Sequence, residues 1–178
     1  MAVLAAMSAC TNAPGTPRPE SASTTPPVTT TSKSARPREV KLDGRDACQL
    51  LTAAQLPALK INGIGRPVDA PALKAKGCSW TDNGASIRLV PVTIEGIDAW
   101  TSGKKTGRPT EVPPVEGFAA ITVTVDSDPG VCDVLIDTAD GQYLAARFSV
   151  SPSFEGDFPK PCDGARALAE AAMENLLR

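Results

Sequence analysis

The sequence of 178 residues contains no histidine. That absence removes the Ser-His-Asp triad, the Cys-His pair, haem on a proximal His and every His-containing zinc site. Aromatics are scarce, with two Trp, one Tyr and four Phe. A core must therefore be built from Val, Leu, Ile and Ala, and a stacking platform for sugars has little to draw on. No two cysteines have C-x-x-C spacing, which excludes a zinc knuckle, an iron–sulfur cluster and a thioredoxin-like site. No G-x-S-x-G, P-loop or G-x-G-x-x-G segment occurs. A formal net charge of −2, without a basic stripe interleaved with aromatics, argues against a nucleic-acid partner. The composition implies no metal and no cofactor.

What is present starts at the N-terminus. Residues 1–10, MAVLAAMSAC, are apolar and small and end in Met7-Ser8-Ala9-Cys10. This resembles the bacterial lipobox, in which small residues give a peptidase access to the backbone before a lipid-modified cysteine. Met7 stands where the pattern prefers Leu. A full signal needs a basic n-region and an apolar stretch of about 7–15 residues, and the segment before Cys10 has no Lys or Arg. Met1 therefore reads as an internal start, with the remaining signal upstream. The expectation is a membrane anchor through lipid on Cys10, at the extracytoplasmic face of the cell membrane. Residues 11–41 read as a tether. From Thr11 to Arg38 the chain has six prolines and eleven Ser/Thr, and Val28 is its only large apolar side chain. Such a segment cannot bury enough surface to offset its chain entropy.

Cys48, Cys78, Cys132 and Cys162 remain, with separations of 30, 54 and 30 residues. An even set of widely spaced cysteines in an exported chain reads as two disulfides. Of three connectivities, Cys48–Cys78 with Cys132–Cys162 is favoured, each bridge closing a short segment between a helix end and a strand. Two disulfides also require an oxidising compartment, which supports export separately from the signal.

Residues 42–178 read as one globular domain. Thr52 and Gln55 have capping-box spacing, and Leu51 with Leu56 forms a hydrophobic staple, so a helix is expected over 49–60, stopped by Gly63 and Gly65. A strand over 77–81 and its partner over 86–92 flank the Asp82-Asn83-Gly84 turn. Ile94, Ile97 and Trp100 fit one stripe of a short helix. Residues 103–117, with Lys104, Lys105 and Arg108, read as a loop. Strands follow over 120–125, 131–137 and 142–150, joined by turns at Asp128-Pro129-Gly130 and Asp140-Gly141. A last helix runs from an Asp163 cap to Leu177 with an Ala165, Leu168, Ala169, Ala172, Leu176 stripe. The expected fold class is α+β: a mostly antiparallel sheet of about five strands, an N-terminal and a C-terminal helix packed on it, and two disulfides.

At this point several residues carry a family resemblance. They are Cys10, the Pro/Thr/Ser tether, Asp46-Ala47-Cys48-Gln49-Leu50-Leu51-Thr52, Gly77-Cys78-Ser79-Trp80, Cys132 in a strand and Cys162 opening an Ala/Leu helix. Together they resemble the actinobacterial secreted lipoproteins grouped as domain of unknown function 3558, over residues 42–178. Ala47 stands where that pattern often has Pro. The resemblance implies a lipid-anchored exported domain and brings no catalytic residues with it.

Catalytic candidates are weak. Asp126 with Asp128, or Asp133 with Asp137, would supply a carboxylate pair, but all lie at strand ends or turns where solvated Asp is ordinary. The Lys104-Lys105…Arg108 run reads as a solvated loop, and Trp80 and Trp100 as core. The expected role is a non-enzymatic, lipid-anchored binding or interaction module for a small molecule, lipid, peptide or envelope protein. The alternatives are an acid-catalysed hydrolase using the Asp pairs and a purely structural or sensory ectodomain.

Overall fold

The structure, a computed structural model, describes residues 36–178. Cys10 and the tether as far as residue 35 lie outside the described residues. In chain order the strands are β1 (Arg66–Ala70), β2 (Ala75–Asp82), β3 (Ala85–Val92), β4 (Arg108–Val115), β5 (Phe118–Val125), β6 (Asp128–Ala139) and β7 (Gln142–Val150). The helices are α1 (Asp98–Thr101) and α2 (Pro161–Leu177). All neighbours are antiparallel, in the order β1-β2-β3-β7-β6-β5-β4. Thus β7, last in sequence, lies in the middle beside β3, and the chain between β3 and β4 must cross the sheet.

The sheet has seven strands, not about five. The two missed are its edges, β1 and β4, and both carry prolines: Pro67 in one, Pro109, Pro113 and Pro114 in the other. Proline lacks the ladder donor and is tolerated where one side of the strand is unpaired. It therefore disguises an edge strand as a loop. The turn expected at Asp128-Pro129-Gly130 is also displaced. The chain reverses at Asp126-Ser127, and β6 already begins at Asp128. The turns at Asn83-Gly84 and Asp140-Gly141 are where the sequence places them, with Gly84 at φ +89° and Gly141 at φ +71°.

No α-helix forms over 49–60. Two 3₁₀ turns, Ala47–Gln49 and Leu56–Leu59, stand there instead. The capping-box contact does form, since Thr52 N–H donates to Gln55 Oε1 at 2.9 Å. The turn that follows closes after four residues, because Lys60 adopts a left-handed φ of 55° and Ile61 N–H reaches back to the Leu56 carbonyl. This is a helix-terminating pattern, and it drives Leu59 and Ile61 into the core. The first helix packed on the sheet is thereby replaced by turns. α1 lies mid-chain, and of its expected stripe Trp100 is buried while Ile94 is exposed.

Both faces of the sheet are apolar, for the alternation in each strand supplies side chains to both. On one face Ile87, Leu89, Val134, Ile136, Leu144, Ala146 and Phe148 meet α2, whose Ala165, Leu168, Ala169, Ala172 and Leu176 are all buried. Gly164 is required there, because a Cβ would stand 2.6 Å from the Phe148 ring. Lys160 caps α2 with no side-chain bond, and Asp163 is in its first turn. On the other face Val90, Val92, Ile121, Val123, Leu135, Tyr143 and Ala145 meet Trp100 and Ile97 from the crossing segment.

The stretch from Arg36 belongs with the sheet rather than with the tether. Arg36 pairs with Asp137 at 3.1 Å and with Asp140. Val40 N–H donates to the Thr138 carbonyl, and Val40 and Leu42 are buried.

The structure joins Cys48 to Cys78 and Cys132 to Cys162, each with Cα atoms 5.0 Å apart. The first bridge ties the Ala47–Gln49 turn to β2; the second ties β6 to the first turn of α2. Replacing Cys132 and Cys162 together by Ser is expected to lower the unfolding free energy by about 2–5 kcal/mol. Denaturant unfolding measures it, and an unchanged midpoint would show that α2 holds its place without the bridge.

Candidate functional site

A cleft of about 370 Å³ opens on the face of the sheet opposite α2. Its base carries Arg88 of β3, Arg147 of β7 and Asp133 of β6. The pairing register sets them side by side, Arg88 opposite Arg147 and Arg147 opposite Asp133. Two residues along, Val90 and Ala145 give an apolar floor. Walls come from Trp100 of α1, from the turn at 70–73 and from Lys104 and Lys105 on the crossing segment.

One wall is held by a hydrogen-bonded chain. Trp100 Nε1–H donates to Tyr143 Oη at 3.0 Å, and Tyr143 O–H donates to Glu95 Oε1 at 3.3 Å. Glu95 is ion-paired with Lys105, whose Nζ lies 6.0 Å from the centre of the Trp100 ring. The indole is thus fixed edge and face by groups from β7 and from its own segment.

The charges are unequal. Four cations line the cleft against one carboxylate. Asp133 is taken by Arg147, which donates from Nε and Nη2 to its two oxygens, each at 2.8 Å. This bidentate bond outweighs the cost of burial and holds the Arg147 pKa above its ordinary value. Lys105 is offset by Glu95. Arg88 has no such partner among the described residues, and its Nε is buried without any hydrogen bond. Like charges directly opposite on neighbouring strands are destabilising, and an unpaired buried donor costs about 1–3 kcal/mol. An arrangement of this kind is stabilised when an oxyanion arrives.

The carboxylate pairs do not assemble. Asp126 is in the exposed turn after β5 and pairs with Arg108 at 2.6 Å, while Asp128 is exposed at the start of β6. Asp133 and Asp137 share a face of β6 but are four residues apart, about 13 Å along a strand. Each is held by a different arginine, Arg147 or Arg36. Among the described residues no group of three His, Cys, Asp or Glu stands close enough to hold a metal ion. Trp80 lies in the α2-side core, whereas Trp100 has both roles, core on one side and cleft wall on the other. Lys104 and Lys105 line the cleft rather than a free loop. The sequence alone does not mark Arg88 and Arg147. Their only signal is a lone cation at an alternate position in each of two apolar strands, and nothing local says that those strands are neighbours.

A second hollow beside Ile61, Ile64 and Trp80 is lined without any charged group, and a third beside α2 carries Glu116, Glu170 and Glu174. Neither brings together an orphaned polar atom and an apolar floor.

Tyr143 is the only tyrosine of the chain, so its ionisation is read directly from phenolate absorbance. Burial, and after it the charge of Glu95, push its pKa up from 10.0 to about 12, against the opposing bond from Trp100. The folded pKa exceeds the unfolded one. The contribution of the neutral phenol to stability is therefore complete below pH 10 and lost as pH rises toward 12. Phenolate absorbance is expected to have its midpoint near 12, with the unfolding midpoint falling over the same window. A midpoint at the ordinary value would show that the phenol is not sealed behind Trp100.

No curated protein and no solved structure matches the chain. A family model described as "Protein of unknown function (DUF3558)" matches residues 5–175. That span takes in every strand and nearly all of α2, and the chain belongs to this family.

Proposed function

We propose that the protein is an exported actinobacterial lipoprotein, anchored through lipid on Cys10 at the extracytoplasmic face of the cell membrane. There it acts as a non-enzymatic binding module whose ligand enters the Arg88–Arg147 cleft. The observation that carries the reading is the cleft itself, a preformed hollow with an apolar floor and a few convergent polar groups, which is the usual form of a small-molecule site. The one carboxylate that lines it, Asp133, is committed to Arg147, and this favours binding over acid catalysis. The two disulfides suit an oxidising compartment, and Met7-Ser8-Ala9-Cys10 resembles a lipobox.

Expression of the full chain behind an export signal in an actinobacterium tests both halves. The wild type is expected in the detergent phase with an acyl mass on Cys10, and Cys10→Ser in the aqueous phase. Equal partitioning of the two, without an acyl mass, would sink the anchoring. Native mass spectrometry of the released protein is expected to show a non-covalent small-molecule adduct. Ala145→Phe, which fills the floor from a side chain already facing the cleft, should lose that adduct. Its persistence would place the ligand elsewhere.

A further inference from the structure

From the charge pattern at the base of the cleft, we infer that it selects organic oxyanions, a carboxylate or a phosphate on an apolar body, with Arg88 as the head-group receptor. This deepens the binding reading above and rests on it. Across β6, β7 and β3 the in-register row runs Asp133, Arg147, Arg88, that is minus, plus, plus. Asp133 shows what an oxyanion does in this row, for it takes a two-point bond from the neighbouring guanidinium. Arg88 carries the same fork on the neighbouring strand, and no carboxylate among the described residues reaches it. The described residues supply no second negative charge to the row, and a ligand oxyanion would complete it. Arg147 holds Asp133 through Nε and Nη2, so its Nη1 is left over to share in the same oxyanion.

The remainder of the cleft describes the body of the ligand. Val90 and Ala145 continue the base away from the guanidinium, and the Trp100 side chain, fixed by Tyr143, closes one side. Lys104, exposed and without a partner among the described residues, adds a second positive charge at the rim. A volume of about 370 Å³ is at the small end for ligand sites. It suits one ring or a short acyl chain rather than a polymer.

A cation kept for a ligand and not for the fold has a signature in stability. Removing Arg88 relieves a like-charge pair and an orphaned donor. The Arg88→Gln variant of the full chain is therefore expected to melt at or above the wild-type temperature when no probe is added. A clear drop would assign Arg88 to the fold and overturn the inference.

Calorimetric titration of the full chain carrying Cys10→Ser, which avoids detergent, uses phenylbutyrate, phenylbutyl phosphate, phenylbutanamide and phenylbutylammonium. Either anion is expected to bind roughly 10- to 100-fold more tightly than the amide, as suits a hydrogen bond to a charged group, and the ammonium more weakly still. The carboxylate and phosphate arms show which head group is preferred. Arg88→Gln is expected to remove the preference for anions, weakening anion binding roughly 10- to 100-fold more than amide binding, and Arg88→Lys to restore part of it. Equal binding of all four probes, blocked by Ala145→Phe, would overturn the oxyanion inference and leave the cleft as a binding site. Absence of binding by any probe to the wild type, or an Arg88→Gln variant that keeps the full preference, would also overturn it. An adduct of uncharged chemistry in the native spectrum would separate failure of this inference from failure of the binding reading.

Discussion

The pairing of β3 with β7 is the contact on which the remainder depends. Its two strands are more than fifty residues apart in sequence, yet they run in unbroken register from Ala85 opposite Val150 to Val92 opposite Tyr143. Closing a loop of that size costs chain entropy before any contact compensates it. The compensation comes from two apolar faces at once. Ile87 and Leu89 face α2 with Ala146 and Phe148, while Val90 and Val92 face the opposite side with Ala145 and Tyr143. Once β7 occupies the centre, β4 can only join at the far edge. The segment from 93 to 107 is then forced across the sheet, and it is this segment that brings Trp100, Lys104 and Lys105 over the cleft.

The two faces differ in how they are closed. α2 covers one with a stripe of Ala, Leu and Met that needs close approach, which is why Gly164 lies against Phe148 and why a covalent bridge at Cys132–Cys162 suits the landing of that helix. Among the described residues the other face has only the four-residue α1, the turn at 70–73 and irregular chain above it. A cover that short leaves part of the sheet bare. The bare part is where Arg88, Arg147 and Asp133 come together. The α2 core and the cleft thus lie on opposite faces of the same strands. Single strands contribute to both: β7 gives Ala146 and Phe148 to the core and Arg147 to the cleft.

The cost of the cleft is local and electrostatic. Arg147 and Asp133 satisfy each other, Lys105 and Glu95 do the same, and the Trp100–Tyr143–Glu95 chain leaves its members bonded. Arg88 is the exception, with a buried Nε and a guanidinium neighbour. Sites that bind often keep groups that the fold alone would discard. Here the discarded option is legible, because a neutral side chain at 88 would suit the sheet better.

Much of the architecture was legible in the sequence because it is encoded by neighbours. Alternation along 120–125, 131–137 and 142–150 predicts strands, Asn83-Gly84 and Asp140-Gly141 supply positive φ where hairpins need it, and the Ala/Leu stripe predicts the last helix. Cysteine spacing favours the two bridges. The failures also have local causes. Prolines conceal β1 and β4, since an edge strand tolerates a missing donor on its open side. The Thr52–Gln55 cap promises a helix that the left-handed Lys60 ends within one turn. The cleft was not legible at all. Arg88 and Arg147 are 59 positions apart, and each alone looks like a charge on the polar side of a half-buried strand. Only the strand order makes them adjacent. The sequence by itself determines which side chains each strand sends to either face, because that follows from a two-residue period; the tertiary structure alone decides which strands are neighbours, because that follows from how two apolar faces are covered together.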